Sequence, residues 1–202
     1  MNNTKLNLEM RGRPTVYDNE QILQKAQHVF WTKGFTATSL EDLLKAMEIG
    51  SGSFYNAFKG GKKELFRKAI QQRRIAFNQF KAELKQSESP INLIKDFFRS
   101  IAKSDQESHL QGCIIANTVV EMTFVDEELE QESVAILKEV EAMFTAAIDK
   151  AQKNGTLKNQ TDPIVLGRYL ITLWNGLNVT RRMYPDNKVL KTQIEMQLEI
   201  IS

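Results

Sequence analysis

Apolar positions recur at spacings of three and four residues along most of the chain from Asp18 onward, the period of helices that bury one face. Ile22, Ala26, Val29 and Phe30 form the first such face, and Lys33-Gly34 closes it, because glycine accepts the left-handed conformation that ends a helix. Thr38 and Glu41 stand at capping-box spacing ahead of a short helix that carries Leu40, Leu43, Leu44 and Met47. Ile49-Gly50-Ser51 predicts a turn and a third helix with Phe54, Tyr55 and Phe58, and Gly60-Gly61 breaks it. A long helix is expected from about Lys62 to Lys85. Pro90 suits a first helical turn, and Ile91, Ile94, Phe97, Phe98 and Ile101 follow on one face. Residues 111–125 are apolar almost all round, which predicts one helix buried on most sides. A long amphipathic helix follows from Glu127 to Asn154, where Asn154-Gly155 stops it. Thr161-Asp162-Pro163 opens an apolar helix to about Arg182, and a last helix runs from Lys188 to Ile200. No strand alternation, repeat or low-complexity segment interrupts this series, so the fold class is all-α with about nine helices.

Composition narrows the class. The chain has 202 residues, with only 4 Pro and 10 Gly, which favours long helices over turn-rich β structure. Its single cysteine, Cys113, excludes an intramolecular disulfide and fits a reducing compartment, so a cytoplasmic location is expected. The first residues are polar and charged, unlike a signal peptide, and apolar stretches such as 169–174 are far too short to span a bilayer. His28 and His109 leave little material for a metal site, and no glycine-rich nucleotide fingerprint is present. No cofactor, no metal, no membrane partner and no enzymatic activity are therefore expected.

Charge divides the chain. Residues 1–85 hold 15 Lys+Arg against 8 Asp+Glu, whereas residues 86–202 hold 12 against 17. A basic first part suits phosphate and an acidic second part suits another task; the plainer alternative is a solvated basic face. Residues 38–58 have the shape of a helix-turn-helix, whose second helix enters the DNA major groove. That helix offers Ser51, Ser53, Tyr55 and Asn56, short polar side chains for base edges and phosphates. Gly50 and Gly52 let its backbone approach a duplex closely.

The stretch from Arg13 to Leu65 resembles the DNA-binding domain of TetR-family transcriptional regulators. The residues that carry the resemblance are Gly12-Arg13-Pro14, Ala26, Phe30, Lys33-Gly34-Phe35, Thr38-Ser39, Gly52-Ser53-Phe54-Tyr55, Phe58 and a Lys-Glu-Leu-Phe group ending at Phe66. The resemblance implies a basic arm over residues 1–17, a helix-turn-helix domain over 18–60, a connecting helix over 61–86 and a ligand-binding and dimerisation domain over 87–202. It implies a homodimer on a palindromic double-stranded operator, a small-molecule effector that releases a repressor, and a four-helix dimer interface from the last two long helices. It turns Tyr55 outward with its hydroxyl on phosphate, against the alternative of a core aromatic. The segment from Phe58 to Leu65 is one residue longer than the family pattern, so either Lys62 or Lys63 takes the phosphate-contacting lysine position; the spacing to Leu65 favours Lys62. Thr38 can cap its helix and face phosphate together. Arg11 and Arg13 form either a minor-groove arm or a basic tail.

In the second half, Cys113, Asn117 and Glu121 share one stripe if residues 111–125 are one helix. Together with Phe97, Phe98, Ile101 and Trp174 they are candidates for the lining of an effector pocket, polar groups in an apolar wall. The alternatives are hydrogen bonds of Asn117 and Glu121 to each other or to a neighbouring helix, and an inert buried Cys113. A thiol-based sensor of oxidants or electrophiles on the same scaffold, using Cys113, is the second functional reading. A nonspecific architectural DNA binder would leave the acidic second half without a purpose beyond dimerisation.

Overall fold

The structure, a computed structural model, describes residues 19–184 and 186–202; Arg11 and Arg13 lie outside the described residues. Among the described residues there is no strand. The chain forms α1 (Asn19–Lys33), α2 (Leu40–Met47), α3 (Ser51–Ala57), α4 (Gly61–Gln86), α5 (Pro90–Ile101), α6 (Gln106–Gln111), α7 (Ile114–Met122), α8 (Glu127–Lys153), α9 (Pro163–Met183) and α10 (Asn187–Leu198), with a terminal 3-10 turn, η1 (Glu199–Ile201).

One helix more than expected appears, the short α6 over residues 106–111, and the helix expected over 111–125 is present as the shorter α7. The short α6 ends at Gln111, Gly112 takes φ +64°, and Cys113 is extended as the N-cap of α7. A Cβ on Gly112 would lie 2.8 Å from Arg182 Nη2 and 3.0 Å from the Asn178 carbonyl oxygen, so both backbone angle and space require glycine there. The start of α2 also differs by one residue. Its N-cap is Ser39, not Thr38, and the box closes with Asp42, not Glu41. Ser39 Oγ accepts from the Asp42 N–H at 3.1 Å, and the Asp42 carboxylate accepts from the Ser39 N–H at 3.0 Å. The Lys33 ammonium bonds the same carboxylate at 2.5 Å, and with Ser39 it lowers the Asp42 pKa to about 2.

Two apolar cores form. In the first, Phe30, Leu43, Phe54 and Phe66 join α1 to α4, with Phe30 and Phe66 edge to face at 4.9 Å between centroids. This core also takes in Ile114, Ile115 and Met122 of α7 and Leu129 and Ile136 of α8. A boundary at residue 87 therefore divides the chain but not its packing. The second core gathers α5, α8, α9 and α10 around Phe98, Phe144, Leu170 and Ile194.

Helices α4 and α8 run parallel, since paired residues keep a near-constant sequence offset: Lys63 meets Asp126 at 2.7 Å, Arg67 meets Glu132 at 2.7 Å and Arg74 meets Glu139 at 2.5 Å. Helices α8 and α9 run antiparallel and pack tightly at Gly167. A Cβ there would stand 2.1 Å from Thr145 Oγ1 and 3.1 Å from the Thr145 backbone nitrogen.

Two outcomes follow from these contacts. Gly167→Ala forces α8 and α9 apart and lowers stability by about 1–3 kcal/mol in chemical denaturation, despite the helix propensity of alanine. A depressed carboxylate pKa stabilises the fold above its unfolded value of about 4 and ceases to do so as pH falls toward the folded value. The first turn of α2 therefore frays between about pH 4 and pH 2, seen as loss of the helical NMR shifts of Asp42, and Asp42→Asn removes that transition.

Candidate functional site

The turn between α2 and α3 is set by Glu48, which caps α2 in the left-handed region at φ 58°, while the Ile49 N–H bonds the Leu44 carbonyl at 3.2 Å. Helix α3 then buries Phe54 completely and turns its other side outward. Ser51 and Asn56 are exposed, Ser53 is half-buried and Tyr55 is 53% exposed. Tyr55 packs its ring edge-to-face on Phe54 at 5.2 Å, which holds it pointing away from the core. A Cβ on Gly50 or Gly52 would meet nothing within 4 Å, so the backbone of this helix lies bare to an outside surface. The side chains proposed from sequence for base edges thus share one accessible face.

Three basic or polar candidates are placed differently. Thr38 is 1% exposed; its hydroxyl donates to the Gly34 carbonyl at 2.5 Å and its N–H to the Phe35 carbonyl at 3.3 Å. This corrects the expectation that Thr38 faces phosphate, because both its donors are used inside the fold. Lys62 donates to the carbonyls of Phe35 at 2.9 Å and Thr38 at 2.8 Å, and its ammonium sits 4.4 Å from the centroid of the Phe35 ring. Two of its three N–H groups are thereby spent, and one remains. Lys63 is bound to Asp126 and Glu128, whose carboxylates raise its pKa and so hold its charge.

Beyond the shared core, Glu121 ties the first three helices to α7. Its carboxylate accepts the backbone N–H groups of Phe35 at 3.0 Å and Thr36 at 2.7 Å, in the turn after α1. Gly34 makes room for it: φ is +78°, and a Cβ would come within 2.9 Å of Glu121 Oε2. A second junction lies at the Gln111 carbonyl at the end of α6. It accepts from Trp31 Nε1 of α1 at 3.1 Å, Asn117 Nδ2 of α7 at 3.1 Å and Arg182 Nη2 of α9 at 2.6 Å.

Beside this junction lies a cavity of about 360 Å³. Phe97, Ile101, Cys113 and Trp174 line it, as the sequence suggested, and Trp31, Phe77, Arg73 and Arg181 join them. Phe98, Asn117 and Glu121 do not. Phe98 is fully buried in the second core. The break at Gly112 takes Cys113 off the helix, so the stripe expected through Asn117 and Glu121 is not formed; Asn117 turns to Gln111 and Arg182, and Glu121 to the turn after α1. Arg73 and Arg181 escaped the sequence because each is the first of an Arg-Arg pair, and nothing local marks which member turns inward. Arg73 stacks over the Trp31 ring at 4.9 Å, and Arg181 is 6% exposed and donates to Asn178 Oδ1 at 2.8 Å. Burial pulls both pKa values below the usual arginine range. A larger open groove of about 690 Å³ runs along the outer side of α8 and α9, past Glu141, Thr145, Ile164 and Arg168.

Comparison with known proteins decides the family. Residues 22–69 match the model of bacterial regulatory proteins of the tetR family, and residues 91–196, more than half of the chain, match the tetracyclin repressor-like C-terminal domain. The chain belongs to the TetR family. It is a DNA-binding transcriptional regulator of that family. It is similar to the transcriptional repressor DhaR of Mycobacterium sp. (strain GP1), at 24% identity over 89% of this chain and 91% of the relative. The repressor NemR of Escherichia coli (strain K12) is 25% identical over 91% and 93%. Among solved structures, a cysteine mutant of the TetR-family regulator CifR, bound to 26-base-pair operator DNA, superposes with TM-score 0.78 and 26% identity over 95% of this chain and 100% of that one.

The Glu121 junction yields a direct test. A hydrogen bond to a charged acceptor is worth about 1.5–3 kcal/mol. Glu121→Ala speeds amide hydrogen exchange at Phe35 and Thr36 by roughly tenfold or more, while exchange in the second core is unchanged; Glu121→Gln, which keeps one acceptor oxygen, gives a smaller effect.

Proposed function

We propose that this TetR-family regulator is a cytoplasmic homodimeric repressor that holds a palindromic operator through the exposed face of α3 and lets go when a small molecule fills the 360 Å³ cavity. The observation that carries this reading is the placement of α7. Its N-terminal end, Cys113 to Ile115, walls the cavity, and its C-terminal end presents Glu121 to the turn of the DNA-reading unit. A shift of this short helix on ligand binding reaches the recognition helix without passing through the rest of the fold. In a two-fold dimer the duplex dictates the separation of the two α3 helices, so a small tilt of each unit is enough to break the fit. The exposed Ile164, Val165, Val179 and Met183 of α9, beside the groove on α8, supply an apolar outer face for the second subunit.

On DNA, the proposal gives Tyr55 and the remaining N–H of Lys62 to phosphates, and Ser51, Ser53 and Asn56 to base edges or adjacent phosphates. Arg11 and Arg13 remain candidates for a minor-groove arm. Footprinting on a genomic operator and titration at several salt concentrations test this. Tyr55→Phe weakens all sequences alike and flattens the salt slope by less than one unit, whereas losing a lysine–phosphate contact flattens it by about 0.9. Asn56→Ala instead changes the preferred bases. An unchanged Kd and salt slope for Lys62→Met removes Lys62 from the interface and leaves it as the tie to Phe35 and Thr38.

A second reading rests on Cys113, which lines the same cavity with two guanidiniums near its sulfur. On this reading, N-ethylmaleimide alkylates the thiol and releases the operator, and Cys113→Ser binds the operator but no longer responds. Retained operator binding by alkylated wild type, with alkylation verified by mass spectrometry, rejects it.

A further inference from the structure

Most arginines described outside the cavity find a carboxylate. Arg67 pairs with Glu132, Arg74 with Glu139, Arg99 with Glu195 and Arg168 with Glu141. The two that line the cavity, Arg73 and Arg181, have no carboxylate partner among the described residues. A buried charge without a counter-charge is strongly unfavourable; Arg181 is buried and Arg73 half-buried beside the same void. Arg181 uses Nη2 on Asn178, but its buried Nε has no partner. Trp174 Nε1, in the same wall, is also buried without one. The nearby Gln111 carbonyl already serves three donors. The cavity thus holds two guanidiniums and no carboxylate, and two buried N–H donors in its wall lack an acceptor.

Four aromatic rings form the flat part of its wall, and Ser100, Ser104 and Ser108 add hydroxyls. Trp31, Phe77, Phe97 and Trp174 enclose it, with Phe97 and Trp174 at 5.0 Å between ring centroids. Resting on the reading of this cavity as the effector site, we infer that the effector is a small carboxylate with a planar apolar body, its oxygens taken by Arg73 and Arg181 and its body held between the aromatic walls. The guanidinium fork matches a carboxylate in two parallel hydrogen bonds. A volume of about 360 Å³ suits a molecule of this size. The same contact explains signalling. Arg73 lies on the ring of Trp31, a residue of α1, so an anion that draws the guanidinium toward Arg181 removes a cation–π contact from the DNA-reading unit.

The test uses the full-length dimer and the probe pair trans-cinnamate and trans-cinnamamide, the same planar body with and without charge. Both tryptophans of the chain line the cavity, so intrinsic fluorescence reports its occupancy. Cinnamate gives a saturable change and binds about tenfold or more tightly than the amide. Arg181→Met weakens cinnamate about tenfold or more and leaves the amide within about threefold, and the free variant melts no lower than wild type because a buried unpaired charge is gone. Arg73→Met gives the same loss of preference and serves if Arg181→Met does not fold. Equal binding of acid and amide overturns the inference while leaving the cavity as a ligand site. No fluorescence change with either probe overturns the cavity reading, and the inference falls with it.

Discussion

The carboxylate of Glu121, accepting two consecutive backbone N–H groups in the turn after α1, is the contact on which the working arrangement of this molecule depends. A turn between two helices leaves amides that neither helix satisfies, and a hydrogen bond to a charged acceptor is stronger than one to a neutral group. One side chain from α7 meets both. Gly34 has to be glycine for this to happen, since its positive φ and the nearness of Glu121 both exclude a Cβ. The ion-pair ladder between α4 and α8 runs beside this contact but is half-exposed, and such pairs add modestly to stability and weaken with salt. It keeps α4 in register; Glu121 fixes the orientation of the DNA-reading unit.

Helix α7 has only two and a half turns, so its two ends belong to one short rigid element. Its first residues belong to the cavity and its last to the junction, and between them Ile115 and Met122 are buried in the same core as Phe30 and Phe66. Close-packed cores move as bodies rather than deform continuously. The Gln111 carbonyl, tying α1, α7 and α9 to one atom, adds a second point at which the cavity wall and the DNA-reading unit share a partner.

Much of this was legible in the chain. The helical period located nearly every helix, and Gly34 and Gly155 mark helix ends at positive φ as their sequence context suggested. The adjacent Phe54 and Tyr55 were separable into one inward and one outward residue. Two things were not legible. A one-residue shift of a cap, from Thr38 to Ser39, is decided by which hydroxyl the tertiary fold leaves at the helix start, and here Thr38 is claimed by Gly34. The break at Gly112 was hidden because the polar stretch 106–111 shows no apolar helical face, and tertiary space beside Arg182 and Asn178 demands a glycine there. With that break comes the misplacement of Asn117 and Glu121; Arg73 and Arg181, on α4 and α9, were missed because each is one of an Arg-Arg pair. Residues that act between units, such as Glu121 with a partner 85 residues away, carry no local periodic signal at all.

The most direct measurement of coupling through α7 needs no ligand. Ser104 lines the cavity, so Ser104→Phe partly fills it. Operator affinity is measured for wild type, Ser104→Phe, Glu121→Ala and the double variant, and the four values form a cycle. With Glu121 as the link, Ser104→Phe lowers operator affinity by about fivefold or more in the wild-type background and by less than about twofold once Glu121 is alanine. An equal loss in both backgrounds contradicts the account.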